Sequence, residues 1–448
     1  MNLQRFKMKR ATPFRILALG FAIVIFTGAI LLHLPIATQS GEQTPLIDCF
    51  FISTSATCVT GLVTVDTGTH WNYFGKTVIM LLIEIGGLGF MSFGTLVALI
   101  LGKKITLKER IIMQEAYNSF STQGIVKMVK YILIFTFSVQ MGGALILSTQ
   151  FIPEFGIGKG IYYSIFHSIS AFCNAGFDLI GNYSSVTGYY DNSVIILTIS
   201  LLIIIGGLGF YVWQEIYNFK GFRELSLHSK ICLSTTAILI VVGTILMFLF
   251  EFNNPGTMKN MSFKGKALSS FFASVSPRTA GFNSISTSDM TTAGKFLTII
   301  LMFIGGSSGS TAGGIKTTTF GLMFMTILCV IKGREDTEIF KRRISKDNIY
   351  KALAIVVIGF SIVTVVTMLL SITDSSNSFE NLLYEATSAF GTVGLTLGIT
   401  TKLSSAGKII VALTMYAGRV GPLTLALALS NKKSSRNIKY PEGKVLVG

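Results

Sequence analysis

Residues 166–177 read F-H-S-I-S-A-F-C-N-A-G-F: a short apolar segment, then small and polar residues, then a glycine. The same pattern occurs three more times. Residues 51–62 read F-I-S-T-S-A-T-C-V-T-G-L, residues 271–282 read F-F-A-S-V-S-P-R-T-A-G-F, and residues 384–395 read Y-E-A-T-S-A-F-G-T-V-G-L. Aligning Gly61, Gly176, Gly281 and Gly394 gives one unit of roughly 110 residues repeated four times. A single glycine after a short apolar segment is ordinarily a packing contact or a turn. Four in register, with like flanks, are more than packing requires.

Around each glycine segment lie longer apolar runs, and the expectation is span, short re-entrant segment, span. Repeat 1 (1–112) holds spans 16–34 and 73–101 around the segment 46–61. Repeat 2 (113–222) holds spans 129–149 and 193–219 around 161–176. Repeat 3 (223–346) holds spans 231–252 and 293–331 around 264–281, the second span being interrupted at 305–314. Repeat 4 (347–448) holds spans 349–372 and 405–429 around 379–394. A segment of ~12 residues is too short to cross a hydrocarbon core of ~30 Å as a helix. It can enter and return where its backbone lines water or is buried in protein.

Composition supports a polytopic membrane chain. Charged residues are 13% and hydrophobic residues 50% of the 448, where a soluble chain carries about 25% charged residues. The net charge of +16 sits in short clusters between spans, which is the pattern of membrane orientation and not of a nucleic-acid groove. The clusters at 103–110, 220–230, 332–346 and 432–439 fall at repeat boundaries and at the end of the chain. By the positive-inside rule they are cytoplasmic, as are both termini, and all four repeats insert in parallel. The first run, 16–34, is too long for a signal-peptide core and is read as a retained helix. Five isolated cysteines (Cys49, Cys58, Cys173, Cys232, Cys329) form no CxxC pair and predict no disulfide framework. The lone histidines His33, His70, His167 and His228 predict no metal site. No nucleophile–base constellation suggests an enzyme.

The fold class expected is therefore an all-α membrane protein, with four parallel span–re-entrant loop–span repeats around one pore. Four glycine loops aimed at one axis turn backbone carbonyls inward, and carbonyl rings are how a dehydrated cation is held. Pore-directed helix C-termini add their negative dipole ends.

Residues 305–314, G-G-S-S-G-S-T-A-G-G, interrupt the third repeat. Each glycine lowers helix stability by ~1 kcal/mol relative to alanine, so the segment predicts a non-helical loop at membrane depth. It is not a Walker A loop: Ile315 stands between Gly314 and Lys316, and no strand precedes it. Related clusters, E-I-G-G-L-G-F at 84–90, I-G-G-L-G-F at 205–210 and A-G-R-V-G-P at 417–422, predict close helix approach and bends. Four charges fall inside or beside apolar runs. Arg419 is expected to face the interior. Glu84 is expected to pair with a base. Arg278 is expected to turn away from the axis and meet a carboxylate. Lys316 is expected to snorkel toward the cytoplasmic edge.

The motifs T-C-V-T-G (57–61), F-C-N-A-G-F (172–177), S-P-R-T-A-G-F (276–282), T-V-G-L (392–395) and G-G-S-S-G-S-T-A-G-G-I-K-T (305–317) resemble those of the Trk, Ktr and HKT potassium transporters, most closely the membrane subunits of Ktr systems. The resemblance covers almost the whole chain. It implies a K⁺-channel-like pore whose selectivity filter is Val59, Thr60 and Gly61, Asn174, Ala175 and Gly176, Thr279, Ala280 and Gly281, and Thr392, Val393 and Gly394. K⁺ would bind their backbone carbonyls. Glycine at Gly61, where a serine goes with Na⁺ passage in this family, implies K⁺ selectivity. The resemblance also implies a gate made of Gly305, Gly306, Ser307, Ser308, Gly309, Ser310, Thr311, Ala312, Gly313 and Gly314, together with Lys316 and Arg419. It implies no cofactor in this chain, K⁺ as the transported ion, and Na⁺ as a candidate activator. The partners implied are a second copy in a homodimer, a cytosolic KtrA-type nucleotide-binding ring, and membrane lipid, but no nucleic acid. The place is the cell membrane. Two alternatives are an ion-coupled carrier with a midplane site and a sensor without transport.

Overall fold

The computed structural model describes residues 13–89, 95, 105–116, 124–217, 219 and 221–421. Its helix order repeats a motif of long helix, short helix, loop and broken helix. The long helices are α1 (Pro13–His33), α5 (Ile125–Phe155), α9 (Leu227–Glu251) and α13 (Lys346–Thr373). All four are long and apolar enough to cross a membrane. Their outer faces stay apolar at helical spacing, as lipid demands: Leu19, Ile23, Phe26 and Ile30 are exposed on α1, while Ile25, Ala29 and Leu32 turn inward.

The short helices are α2 (Leu46–Thr57), α6 (Ile157–Phe172), α10 (Phe263–Val275) and α14 (Phe379–Gly391). They are buried inside the protein, although they are rich in serine and threonine. In repeats 1, 2 and 3 one serine hydroxyl of the short helix is satisfied by a carbonyl of the long helix. Ser53 donates to Ile25 O at 2.7 Å, Ser168 to Gln140 O at 2.6 Å and Ser274 to Ile240 O at 2.9 Å. A glycine on the long helix makes the approach possible. A Cβ at Gly28, Gly143 or Gly243 would strike that same serine.

The second spans break at the glycine clusters where bends were expected. α3 (Tyr73–Leu88) ends at Gly89, whose φ is +80°. α7 (Ser193–Gly207) is followed by α8 (Phe210–Tyr217) after a bend of 98°, with Gly209 at φ +93°. α15 (Ser405–Val420) ends at Gly421, also at φ +93°. A right-handed helix cannot pass through a left-handed residue, so hydrophobic continuity across these glycines is not helical continuity. The remainder of the expected spans 73–101 and 405–429 lies outside the described residues, apart from Thr95. In the third repeat α11 (Thr292–Phe303) and α12 (Thr317–Ile331) flank the glycine-rich loop. Side chains cap these broken helices at their outer starts: Asn72, Asn192, Thr291 and Ser404 each accept backbone N–H bonds.

Besides four 3-10 turns, a further helix and a ribbon fall among the described residues. α4 (Leu107–Ala116) follows α3, and a two-residue ribbon, β1 (Glu338–Ile339) with β2 (Arg342–Arg343), joins α12 to α13. The ribbon is the one departure from an all-helical chain. Its turn residues Phe340 and Lys341 are left-handed.

Candidate functional site

Each short helix ends one or a few residues before a glycine triad, so four helix C-termini converge on the same place. The triads share one backbone shape. Their first residues are left-handed, with φ of 57° at Val59, 60° at Asn174, 69° at Thr279 and 52° at Thr392. Their glycines are left-handed too: Gly61 94°, Gly176 69°, Gly281 74° and Gly394 94°. The middle residue donates its N–H back to a serine carbonyl of the short helix. These bonds run from Thr60 to Ser55, Ala175 to Ser170, Ala280 to Ser276 and Val393 to Ser388, at 2.8–2.9 Å.

The triads close into a ring. A Cβ on Gly61 would meet Ala175 O and Gly176. One on Gly176 would meet Ala280 O and Gly281, one on Gly281 would meet Val393 O and Gly394, and one on Gly394 would meet Thr60 O and Gly61. The order is cyclic, each repeat touching the next and the fourth touching the first. All twelve residues expected to line the pathway are thus brought together. Their glycines are obligatory on two grounds, positive φ and absence of space.

The serines of the short helices also brace the triads through their hydroxyls. Ser55 Oγ accepts from Gly61 N at 3.0 Å and Ser388 Oγ from Gly394 N at 3.1 Å. Ser170 donates to Phe177 O at 2.7 Å and Ser276 to Phe282 O at 2.5 Å. Sequence reasoning assigned these serines no role, although they stand at near-equivalent places in all four repeated segments. Three hydroxyls around the ring, Thr57, Thr60 and Thr392, have no hydrogen-bond partner among the described residues.

Loop 305–314 lies against the ring and meets repeats 2, 3 and 4, while Arg419 ties it to repeat 1. In its own repeat, Gly305 N donates to Ile315 O at 2.8 Å and Thr317 N to Gly306 O at 3.0 Å, which pins both of its ends together. Toward repeat 2, Ser307 N donates to Gly207 O at 2.8 Å, and Thr311 Oγ1 donates to Phe172 O at 3.2 Å and Gly206 O at 3.1 Å. Toward repeat 4, a Cβ on Gly313 would strike the side chain of Thr392, and one on Gly314 would meet Gly391. Arg419 completes the set. Its guanidinium donates to Thr311 O in the loop and, in repeat 1, to Gly86 O and to Gly87 O at 3.1 Å. The five-donor fork suits a side chain that must hold three carbonyls at once.

The other expected partners differ from the sequence reading. Lys316 folds back onto the loop, donating to Ala312 O at 2.6 Å, instead of reaching the cytoplasmic edge. Glu84 meets no base among the described residues; it accepts from the Gln140 amide at 2.8 Å and the Cys173 thiol at 3.4 Å. Arg278 turns onto α9 and donates to the Thr236 hydroxyl at 3.2 Å, and no carboxylate among the described residues pairs with it. Buried neutral partners were found where charged ones were expected, because short polar groups and free carbonyls sit closer than any carboxylate. The histidines likewise have partners: His167 Nδ1 lies 2.7 Å from Tyr163 O, and His70 Nε2 lies 2.7 Å from Thr44 Oγ1. No group of metal-ligating side chains occurs among the described residues.

In repeats 1, 2 and 4 the glycine clusters pack against the short helices. A Cβ on Gly86 would strike Thr57 O, one on Gly206 Phe172 O and one on Gly418 Phe390 O. The clusters thus serve both as close contacts and as break points.

A family model described as "TrkH: Cation transport protein" matches residues 3–440. The chain is 45% identical to the potassium/sodium uptake protein NtpJ of Enterococcus hirae, over 98% of each chain. It is 43% identical to the Ktr system potassium uptake protein B of Bacillus subtilis, over 100% of each. Its fold matches the crystal structure of the potassium transporter TrkH from Vibrio parahaemolyticus with a TM-score of 0.71. That match covers 96% of this chain and 87% of the other, at 18% identity.

Proposed function

The chain belongs to the TrkH family of cation transport proteins, and on that premise we propose that it is a channel-like K⁺ uptake protein whose four glycine triads form the selectivity filter. It is a multi-pass membrane protein, and its relatives are named as transporters, not enzymes. The observation that carries the reading is the cyclic contact of the four glycines. A ring built from four unequal repeats, each with the same left-handed positions, gives a cation a set of backbone oxygens at one centre. The C-terminal ends of four short helices direct partial negative charge there, and the unpartnered hydroxyls of Thr57, Thr60 and Thr392 add oxygen lone pairs. This chain supplies oxygen ligands, a rigid frame and exclusion of side chains; the ion is the cargo.

Loop 305–314 acts as the gate in this reading. Its contacts with repeats 2 and 4, and the Arg419 link onward to repeat 1, support it, since a loop that merely kinked one helix would have no need to reach the other repeats. Arg419 holds the loop by Thr311 O. The name of the Bacillus subtilis relative refers to a multi-component system. By that likeness we assign the chain a homodimeric state and a cytosolic nucleotide-binding ring of the KtrA type, docked on inner segments such as 332–346. The name of the Enterococcus hirae relative includes sodium, so discrimination between K⁺ and Na⁺ is the property to measure. A host lacking its own K⁺ uptake systems provides the test: expression of the chain with its partner restores growth at low K⁺. Correct membrane insertion without restored uptake overturns the reading and favours a sensor.

A further inference from the structure

Four residues open the triads. Val59, Thr279 and Thr392 have short side chains, and Asn174 alone carries an amide. Asn174 is 1% exposed and left-handed, a conformation asparagine tolerates better than most residues. Its Nδ2 donates to Arg278 O at 3.3 Å and to Thr279 Oγ1 at 3.4 Å, both in repeat 3. Thr311 Oγ1, in the gate loop, lies 3.4 Å from its Oδ1, which shares the single hydroxyl proton with Phe172 O and Gly206 O. The orientation of the amide follows from chemistry: a carbonyl only accepts, so the NH₂ faces Arg278 O and the oxygen faces Thr311. A Cβ on Gly206 would lie 2.9 Å from that oxygen, so the broken helix of repeat 2 closes over it. One side chain thus joins the middle of the loop to two adjacent triads.

We propose that Asn174 is a positioning residue that couples the loop to the ring, so that loop position and ion preference are linked through its side chain. The inference rests on the proposed pathway and adds a coupling to it. When the loop withdraws, the Thr311 hydroxyl leaves and Oδ1 loses its share of that proton in a buried site, which is costly. The amide turns, and Thr279 and the Arg278 carbonyl follow. The ring of the withdrawn state therefore differs in shape from the ring that the loop braces.

K⁺ and Na⁺ flux through the full chain in liposomes tests this with three substitutions. Thr311→Val removes the hydroxyl and keeps the shape. Asn174→Asp keeps the left-handed preference and the acceptor, but sets an oxygen against Arg278 O. Thr279→Val acts on the far end without touching the Asn174 backbone. Each single variant lowers the K⁺ over Na⁺ preference by about threefold, and the double variant Thr311→Val/Thr279→Val loses clearly less than the product of its singles. A merely structural role moves the amount of folded protein, not this ratio. Single variants that change total flux at wild-type preference, or a double variant equal to the product, overturn the coupling. Absence of K⁺ flux in the unmodified chain sinks the pathway itself, so the two failures are distinct.

Discussion

Each ring glycine has lost the room for a Cβ to its neighbour's backbone, and each sits at positive φ. Gly61→Ser must therefore shift Ala175 O or the triad backbone, against a left-handed cost of about 1–2 kcal/mol. The K⁺ over Na⁺ preference should fall about tenfold, because 1.4 kcal/mol is one decade; paired K⁺ and Na⁺ uptake assays read it. Arg419 makes a second residue-scale prediction. Arg419→Ala frees the loop and raises basal flux several-fold, whereas Arg419→Lys restores charge but not the fork and recovers only part of the control. Flux at matched folded protein distinguishes the two. Asp178 gives a third. It lies in the loop that follows Gly176, and burial, with Asp66 nearby, lifts its carboxyl to about 7. Its N–H partner is Ile180 at 3.0 Å, and Tyr163 is the other titratable neighbour. Because the folded value is raised, its contribution to stability is full below pH ~4 and is lost as pH rises through 7. The charge appears over the same range, so uptake at limiting K⁺ should rise roughly twofold from pH 6 to 8. Asp178→Asn should flatten that profile. The four glycines were legible in the sequence because they recur in register. The charged partners were not. Arg278 and Glu84 were expected to find opposite charges and instead found a hydroxyl, an amide and a thiol, since sequence does not reveal which neutral group lies within 3 Å.

Among the elements, the short helices and the glycine-rich loop were readable from length and composition; the glycine clusters of the second spans signalled bends, but not how sharp they are. Hydropathy runs smoothly through G-G-L-G-F, but the chain turns by 98° between α7 and α8. A hydrophobic run reports burial in lipid or protein and carries no information on φ. The break places the Gly206 and Gly207 carbonyls where the loop can use them. The loop is held by hydrogen bonds from all sides, so it is a defined element and not slack chain. Removing residues 307–311 deletes Thr311 and with it the contacts to Phe172, Gly206, Asn174 and Arg419. A correctly inserted deletion should raise K⁺ flux severalfold, measured at equal protein density. Unchanged flux would reduce the loop to a packing kink.

At the scale of the molecule, parallel insertion and cyclic contact together turn four imperfect copies into one asymmetric ring with a single loop beneath it. Repetition and charge placement were visible from the sequence; the order of contact around the ring came only from the structure. The account separates a pathway from a carrier most directly by flux under an imposed voltage. The purified chain in liposomes, with equal Na⁺ and H⁺ on both sides and a K⁺ gradient or potential as the sole driving force, should pass K⁺ in preference to Na⁺ and follow the sign of the potential. K⁺ movement that requires an opposing or accompanying gradient of a second ion, or flux that does not distinguish K⁺ from Na⁺, would contradict it.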